Sequence, residues 1–341
     1  MSNSSQVTLI IPTVHFRAHL LARALQHIQS QGFNGKIIVS DHSPADFKHV
    51  IATTVEPCKK QNIILLEHSP EIHFLARLVD CAEQAKTKYV HLHADDDFLV
   101  IPCLERLVSE FESEPACIAA MGLNLHVDLE LKEYSSLPKT SVDDGDPGRR
   151  LSAQLERYSS VLYALRKKEE FIDTLSFSRD RCPDVQFWQY LESCVAAIKG
   201  RIVVIDELHY VREIHSGKWS ISLKLERSQD HFPYLILLDN FSLRLAAFRT
   251  AIEDAAGSAH ITIDPVTLSD GLIHLMHRGF GAMGLPPLHA SPNDDAHSAL
   301  LRSQESLLQS RFKNPLDPSR AFLNHVFSLP SNNQAGKALG N

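Results

Sequence analysis

Three adjacent carboxylates, Asp95, Asp96 and Asp97, are the residues of this chain best suited to chemistry. They follow the apolar stretch 88–94, which has the pattern of a buried strand. Adjacent carboxylates repel one another and lose hydration on burial unless a positive group lies among them. Mg²⁺ and Mn²⁺ prefer such oxygen ligands and leave coordination positions open for phosphate and water. The run therefore indicates a metal–diphosphate site, and a solvated acidic turn explains it equally well when it is taken alone.

The composition is that of a globular protein and argues against several classes of function. The 341 residues carry a net charge of -7, which argues against a protein held on nucleic acid by backbone electrostatics. Six scattered cysteines form no Cys-x-x-Cys pair, so neither a zinc site nor a redox motif is indicated. The first apolar run, 7–11, has the length of a strand, and no stretch approaches a membrane span. We expect a cytoplasmic protein, with peripheral contact to a membrane left open.

The first half of the chain alternates short apolar runs with helical patterns. The predicted strands cover 7–11, 36–40, 63–66, 89–93 and 117–121, and the predicted helices cover 16–31, 45–55, 71–85 and a segment that begins near residue 102. This alternation predicts an α/β fold with a mostly parallel, doubly wound sheet. Such sheets bind ligands at the carboxyl ends of their strands, which is where the three aspartates fall.

The second half is less regular. The turn-rich segment 123–150 is predicted to be a long loop or lid. Beyond it we predict strands over 161–165, 201–205 and 208–212, and helices over 168–175 and 184–198. From residue 216 the apolar residues follow helical spacing alone. We therefore predict a first domain of residues 1–215, a helical region 216–330 and a frayed tail 331–341.

Five segments, in order, resemble the family-2 glycosyltransferases of the GT-A class. They are Val7–Thr13, which ends in Ile-Pro-Thr; Ile37–Asp41, which ends in aspartate; Leu75–Arg77; Tyr89–Phe98, which contains an Asp-x-Asp signature; and Pro102–Leu107. The resemblance covers about residues 7–215 and leaves the C-terminal third unassigned. It implies a GT-A (Rossmann-like) fold, with a mostly parallel doubly wound sheet and a C-terminal helical region.

The resemblance implies a site for a nucleotide-diphosphate sugar. Pro12 and Thr13 would offer backbone contacts to the nucleoside, and Asp41 would bind the base or the ribose. Arg77 would face the diphosphate or steady the aspartates, and Asp96 would contact the ribose or a metal-bound water. The residues leave alternatives open, because Asp41 also suits a helix cap or turn and Arg77 also suits a helix surface.

The same resemblance implies a divalent metal, Mn²⁺ or Mg²⁺. Asp95 and Asp97 would hold it, and His215 would complete its coordination. Arg212, three residues before that histidine, would contact phosphate. In this family the metal stabilises the departing nucleoside diphosphate as a Lewis acid. The alternative for Arg212 and His215 is an exposed position on the surface.

Asp184 matches the aspartate that serves the family as catalytic base of an inverting reaction. It precedes a helical pattern, and a carboxylate beside the acceptor hydroxyl can take its proton as attack begins. Pro183 replaces the glutamate that usually precedes this aspartate, so the match is partial. Asp184 equally suits an N-terminal helix cap. Trp188, one helical turn further, suits either stacking on an acceptor sugar or packing in the core.

These observations predict a metal-dependent glycosyltransferase, inverting in mechanism, that acts in glycan or surface-polysaccharide biosynthesis. The acceptor would be a glycan or another hydroxyl compound, and no nucleic acid is expected as partner. A sugar-phosphate nucleotidylyltransferase is an alternative, although the segment 12–16 lacks the glycines that class uses to hold a triphosphate. A catalytically silent binding module is another. The C-terminal helices would serve acceptor binding, homodimerisation or docking on a complex, and the sequence leaves all three open.

Overall fold

The computed structural model describes residues 3–137, 139–182, 184, 187–214, 241–264, 268–272, 294–314 and 317–329. Its strands are β1 Val7–Thr13, β2 Lys36–Asp41, β3 Ile63–Glu67, β4 Tyr89–Leu92, β5 Phe98–Leu99, β6 Cys117–Asp128, β7 Glu133–Leu137, β8 Leu165–Lys167 and β9 Arg201–Glu213. Its longer helices are α1 Ala18–Ser30, α2 Lys48–Val55, α3 Phe74–Gln84, α4 Ile101–Ser113, α5 Pro147–Glu156, α6 Lys168–Arg181, α7 Phe187–Lys199, α8 Phe241–Ser258, α9 Asp294–Lys313 and α10 Pro318–Ser328.

The strands form one mixed, mostly parallel sheet in the order β3-β2-β1-β4-β8-β6-β9-β5, with β7 paired to β6. Strands β3, β2, β1 and β4 run parallel, β8 is antiparallel to both β4 and β6, and β6 is parallel to β9. In this register Thr13 pairs with Asp41, and Ile10 pairs with Leu92. The carboxyl ends of β1, β2 and β4 therefore meet at one edge of the sheet. The predicted α/β fold class is confirmed.

Both faces of the sheet are covered by helices, which explains why its central strands are apolar throughout. Along β1, Leu9 and Ile11 pack in the core formed with α1 and α4. Ile10 points to the opposite face and packs in the core formed with α3 and α6. This period of two follows from the strand pleat, because successive side chains point to opposite faces.

The predicted loop over 123–150 is wrong. Strand β6 continues to Asp128, and a short turn leads into β7, which pairs antiparallel with it. Lys132 in that turn has a left-handed backbone, with φ of 56°. Leu123, Leu125 and Val127 are buried and apolar with a polar residue between each pair, which is the period of a strand. Helix α5 then occupies the end of the supposed loop.

Two further strand predictions also need correction. The predicted strand 161–165 is a turn followed by β8, which begins only at Leu165. The predicted strands 201–205 and 208–212 are one strand, β9, whose pairing with β6 shifts register between Met121 and Leu123. A local irregularity of this kind separates two regular stretches without ending the strand.

The described C-terminal helices pack on the rest of the chain. Helix α8 buries Phe248 and Ile252 against Leu191 of α7, within one core. Helices α9 and α10 bury Leu308 and Val326 in a second core, together with residues of β6 and β9. The predicted domain boundary at residue 215 lies outside the described residues and stays a prediction. Across the described ranges, no helix has both the length and the apolar character needed to cross a bilayer.

A buried ion pair fixes helix α7 against the sheet. Arg166 on β8 and Glu192 on α7 are both fully buried, and their charged groups are 2.8 Å apart. Arg166 also donates to Thr174 Oγ1 on α6 at 3.3 Å. Burial of two charges is costly, so such a pair specifies position more than it adds stability. Glu192 lies in the second turn of α7, so the pair fixes this helix against β8.

Three buried histidines form a cluster beneath the acidic run. His91 and His93 on β4 and His209 on β9 are fully buried, and the His91 and His209 rings meet edge to face with centroids 5.2 Å apart. No ring nitrogen of the three has hydrogen-bond geometry with a described residue. Burial lowers the pKa of His91 to about 3 and lowers the pKa of His209 well below its ordinary value. The three imidazoles are therefore uncharged at physiological pH and act as core side chains.

We predict that His91→Leu makes the stability of the fold less dependent on acid. The pKa of His91 is lower in the native than in the unfolded state, so the native state takes up this proton only at lower pH. Wild-type stability should therefore be complete above about pH 6.5 and fall by up to about 1.4 kcal/mol per pH unit below it for this one residue. Urea unfolding at pH 7.5 and 4.5 measures the difference. The leucine variant should lose about 2–3 kcal/mol less than wild type over that interval.

The matched control is His49→Leu at an exposed position of α2, which should follow wild type at both pH values. Equal acid sensitivity of the His91 and His49 variants would contradict the uncharged state of the buried cluster.

Candidate active site

A cavity of about 200 Å³ opens at the carboxyl ends of β1 and β4. We call it the acid cavity, because Asp95 and Asp96 line it. The sequence-predicted residue Pro12 lines it as well. The complete lining is Pro12, Arg17, Phe74, Leu92, Ala94, Asp95, Asp96, Leu162, Tyr163, Trp188 and Gln189. The cavity thus lies where an open α/β sheet binds its ligands.

Arg17 neutralises the two carboxylates of this cavity. Its Nη2 donates to Asp95 Oδ1 at 2.6 Å, its Nε donates to both oxygens of Asp95, and it lies 2.7 Å from Asp96 Oδ2. Thr13 donates its hydroxyl to Asp95 Oδ2 at 2.7 Å. Two-point contact of a guanidinium with a carboxylate is the strong form of this interaction. Sequence reasoning missed Arg17, although buried carboxylates require a cation and Arg17 is the basic residue next along the chain from β1.

The third aspartate takes a different position. Asp97 is buried, and its Oδ1 accepts a hydrogen bond from the backbone N–H of Glu213 on β9 at 3.0 Å. Burial, reinforced by the charge of Asp96, raises the pKa of Asp97 well above its ordinary value. Arg23 on α1 donates a hydrogen bond to the backbone carbonyl of Asp96 and forms an ion pair with Glu213. These contacts link the acidic run to β9. Asp97 does not line the acid cavity, and its predicted metal role stays a prediction.

Asp41 and Arg77 form a second polar group beside the acid cavity. Asp41 is fully buried at the end of β2, and its Oδ1 accepts hydrogen bonds from the backbone N–H and the hydroxyl of Ser43. The Lys48 ammonium lies 3.7 Å from its Oδ2. Arg77 is 6% exposed, so the alternative of a surface arginine is wrong. Its guanidinium lies over the Phe74 ring, and its buried Nε and Nη1 have no hydrogen-bond partner among the described residues.

Arg212 faces a second cavity of about 300 Å³, which shares one wall with the first. We call it the lysine cavity, after Lys139. The shared wall consists of Leu162, Tyr163 and Gln189. The rest of its lining is Asn124, His126, Lys139, Tyr158, Ser160, Tyr190, Tyr210 and Arg212. Arg212 is exposed, and its positive charge acts on Asp96 and Asp97 without lining the acid cavity.

Asp184 caps helix α7. Its Oδ1 accepts a hydrogen bond from the Phe187 backbone N–H at 3.0 Å, and its Oδ2 pairs with Arg244 of α8. Asp184 does not line the acid cavity, whereas Trp188, one helical turn later, does. The structure therefore shows Asp184 as a helix cap. The predicted role of Asp184 as catalytic base stays a prediction.

The residues predicted to hold a metal fall only partly within the described ranges. His215 lies outside the described residues. Within those ranges, no three His, Cys, Asp or Glu side chains converge in a way that could hold a metal ion. The cavity itself presents two carboxylates, Asp95 and Asp96, with the Arg17 guanidinium between them.

Comparisons with known proteins show similarity in structure alone. No protein-family model matches the chain, and no curated protein matches it in sequence. The S. aureus protein TarS, residues 1–349 in complex with UDP-GlcNAc, matches with a TM-score of 0.55 at 12% identity, over 89% of this chain and 81% of TarS. A second TarS 1–349 structure matches with a TM-score of 0.51 at 12% identity, over 81% and 72% of the two chains.

These similarities define the class of the fold. This chain shares with TarS a mixed, mostly parallel sheet covered by helices, which is a fold found in glycosyltransferase structures. The mannosyltransferase PcManGT of Pyrobaculum calidifontis, in complex with GDP-Man and Mn²⁺, matches with a TM-score of 0.46 at 14% identity, over 98% of this chain and 86% of its own. At such identities the fold is shared, and function has to be argued from the site.

We predict that Arg17→Met destabilises the protein by about 2–3 kcal/mol at pH 7, because it leaves the buried Asp95 carboxylate without its cation. The expected cost is below that of a fully buried pair, since 30% of the Arg17 side chain is exposed. Urea unfolding measures it. The double variant Arg17→Met/Asp95→Asn should recover most of the loss, because an amide carries no charge. Arg179→Met, which breaks an exposed pair with Asp180, is the control and should change stability by less than about 0.5 kcal/mol.

A double variant no more stable than Arg17→Met alone would contradict the assignment of Arg17 as the counter-ion of Asp95.

Proposed function

We propose that this protein is a glycosyltransferase that uses a nucleotide-diphosphate sugar. The observation that carries the proposal is the acid cavity: two carboxylates and a guanidinium at the carboxyl ends of β1 and β4, in a glycosyltransferase fold. The TarS structure with UDP-GlcNAc supports it as a protein of the same fold that binds such a donor. A nucleotide sugar requires a place for its nucleoside, a neutralised diphosphate and an exposed anomeric carbon.

The nucleoside would bind at the Asp41 side of the site. Among the described residues, two buried nitrogens of Arg77 have no hydrogen-bond partner, and Asp41 Oδ2 accepts no hydrogen bond and has only the Lys48 ammonium at 3.7 Å. Buried polar atoms without partners are costly, and in native structures they often mark places that a ligand completes. A ribose hydroxyl or base N–H would satisfy Asp41, and a phosphate oxygen would satisfy Arg77. Pro12 and Thr13 would contact the nucleoside through their backbone atoms.

The residues present fit a divalent cation on the condition that Arg17 moves. Asp95 and Asp96 supply hard oxygen ligands on the wall of the acid cavity, and two protein ligands leave positions for phosphate and water. Mn²⁺ or Mg²⁺ held there would stabilise the negative charge of the departing nucleoside diphosphate. Arg17, released from the aspartates, would then be free to contact the diphosphate. This proposal moves the second predicted ligand from Asp97 to Asp96, and His215 keeps its predicted role.

The transfer joins the acceptor hydroxyl oxygen to the anomeric carbon as the bond from that carbon to the diphosphate oxygen breaks. In the proposed inverting reaction, Asp184 takes the proton of the hydroxyl, which requires its contact with Arg244 to open. Trp188 and Gln189, which follow it on α7, line the acid cavity and would orient the sugar. The product would belong to a glycan or surface polysaccharide.

One observation favours a second candidate, a binding module without transfer activity. Both oxygens of Asp184 are engaged, one in the helix cap and one with Arg244. A chain in which this arrangement is permanent would bind a nucleotide sugar and leave the acceptor hydroxyl without a base. The two candidates share donor binding and differ only in transfer.

Nucleotide binding is the first test of the proposal. We predict that one nucleoside diphosphate among UDP, GDP, CDP and ADP raises the melting temperature and that Mn²⁺ strengthens its binding, because a ligand of the native state stabilises it by mass action. Titration calorimetry should show that Asp96→Asn loses at least tenfold of the Mn²⁺-dependent affinity. The isosteric Asp97→Asn should stay within threefold of wild type, since Asp97 lies outside the cavity.

A tenfold loss of Mn²⁺-dependent affinity in Asp97→Asn, with near wild-type affinity in Asp96→Asn, would instead assign the metal role to Asp97. No response to any nucleotide, with or without Mn²⁺, would end the proposal.

Loss of the base is the second test. We predict that Asp184→Asn binds the selected nucleotide as wild type does and transfers sugar at least 100-fold more slowly, because an amide cannot accept the proton. Release of nucleoside diphosphate from the matching nucleotide sugar, with a panel of glycan acceptors, measures transfer. Arg244→Met is the matched control, since it breaks the same contact and keeps the carboxylate. Wild-type transfer by Asp184→Asn would place the base elsewhere, and absence of transfer in all three proteins would favour the binding module.

A further inference from the structure

The lysine cavity contains a buried cation that the proposed donor does not use. Lys139 is 6% exposed, and its ammonium donates to the carbonyl of Ser160 at 2.9 Å. Its backbone is fixed from both sides by the side-chain amide of Gln304 on α9, at 3.2 Å and 2.7 Å. Lys139 is therefore held in place as part of the cavity wall, and it is not a flexible surface side chain.

Among the described residues of the cavity, no carboxylate accompanies the charge of Lys139. The described residues that line the lysine cavity include no Asp or Glu, and two further nitrogen groups, those of Arg212 and His126, face the same space. Burial and the charge of Arg212 lower the pKa of Lys139 to about 8, so the ammonium is still mostly protonated at pH 7. A buried charge is normally paired, because leaving it without a counter-ion costs several kcal/mol. An anion in this cavity would supply the missing partner.

The remaining walls suit a carbohydrate. The rings and hydroxyls of Tyr158, Tyr163 and Tyr190 offer apolar faces with polar edges, and Asn124 adds an amide. The volume of about 300 Å³ is at the lower end of the range for small-ligand sites. The shared wall at Tyr163 places this cavity directly beside the acid cavity, on the side away from Asp41.

We propose that the lysine cavity binds an acidic group, carboxylate or phosphate, carried by the acceptor. Lys139 and Arg212 provide the positive charge, and the tyrosines contact the adjoining sugar. The inference rests on the proposed function, because it takes the acid cavity as the donor site. It deepens that function by naming the acceptor class: a negatively charged glycan or glycosyl phosphate.

The test compares Lys139→Met with wild type and with Lys36→Met, an exposed lysine of β2 bonded to Asn62. The probes are inorganic phosphate, glucuronic acid and glucose, titrated at constant ionic strength and read by thermal shift. Phosphate or glucuronic acid should stabilise wild type and Lys36→Met, and Lys139→Met should bind that probe at least tenfold more weakly. Glucose should produce no Lys139-dependent shift. A stronger response to glucuronic acid would indicate a uronic acid as the source of the charge, and a stronger response to phosphate would indicate a phosphodiester or glycosyl phosphate.

Equal anion responses in wild type and Lys139→Met, or no response in wild type, would overturn the proposal. Lys139→Gln repeats the comparison if the methionine variant does not fold. Nucleotide affinity, measured on the same variants, separates the two proposals. Lys139→Met should bind the selected nucleoside diphosphate as wild type does, and an equal loss for nucleotide and phosphate would assign the cavity to the donor diphosphate and overturn the inference. A Lys139-dependent anion response in a protein that binds no nucleotide would leave the anion site standing and remove the proposed function.

Discussion

The neutralisation of the acidic tip after β4 is the constraint on which the site depends. Three carboxylates at adjacent positions cannot all be buried and charged together unless each has a separate means of stabilisation. The structure supplies three. Asp95 is held by Arg17 and Thr13, Asp96 contacts the same guanidinium at the cavity wall, and Asp97 turns towards the backbone of β9. The tip therefore ties β1, α1, β4 and β9 together, and a change in any of these charges alters the positions of the others.

The first half of the fold could be predicted from the sequence because its strands are short, apolar and closed by helical patterns. The errors concentrate in β6 and β9, which are 12 and 13 residues long, well above the usual strand length. Asn124 and His126 in β6 line the lysine cavity and alternate with Leu123, Leu125 and Val127 in the period of a strand. The turn-forming residues further along 123–150 outweigh this short signal, so the sequence predicts a loop for the segment.

Some residues of the candidate site could be predicted from the sequence, and others could not. The positions of Pro12, Asp95 and Asp96 in one cavity could be predicted, since residues that end neighbouring parallel strands meet at one edge. Arg17 and Lys139 were not predicted, because a single basic residue has no periodic or motif signature that marks it as a counter-ion or ligand. Their importance appears only when the fold places one against two carboxylates and the other in a space without any among the described lining residues. The separation of Asp97 from its neighbours is likewise set by β9, which lies more than a hundred positions further along the chain.

The wall between the two cavities links their occupants. Tyr163 stacks on Tyr210 with ring centroids 4.8 Å apart, and the Tyr210 hydroxyl accepts a hydrogen bond from the backbone N–H of Ala94, immediately before the acidic run. A ligand that neutralised the acidic run and shifted its backbone would displace this aromatic pair directly, because closely packed side chains transmit strain. The acid cavity and the lysine cavity therefore share one rigid wall. In the proposed function, the donor would bind in the acid cavity and the acceptor beside Lys139, on the two sides of this shared wall.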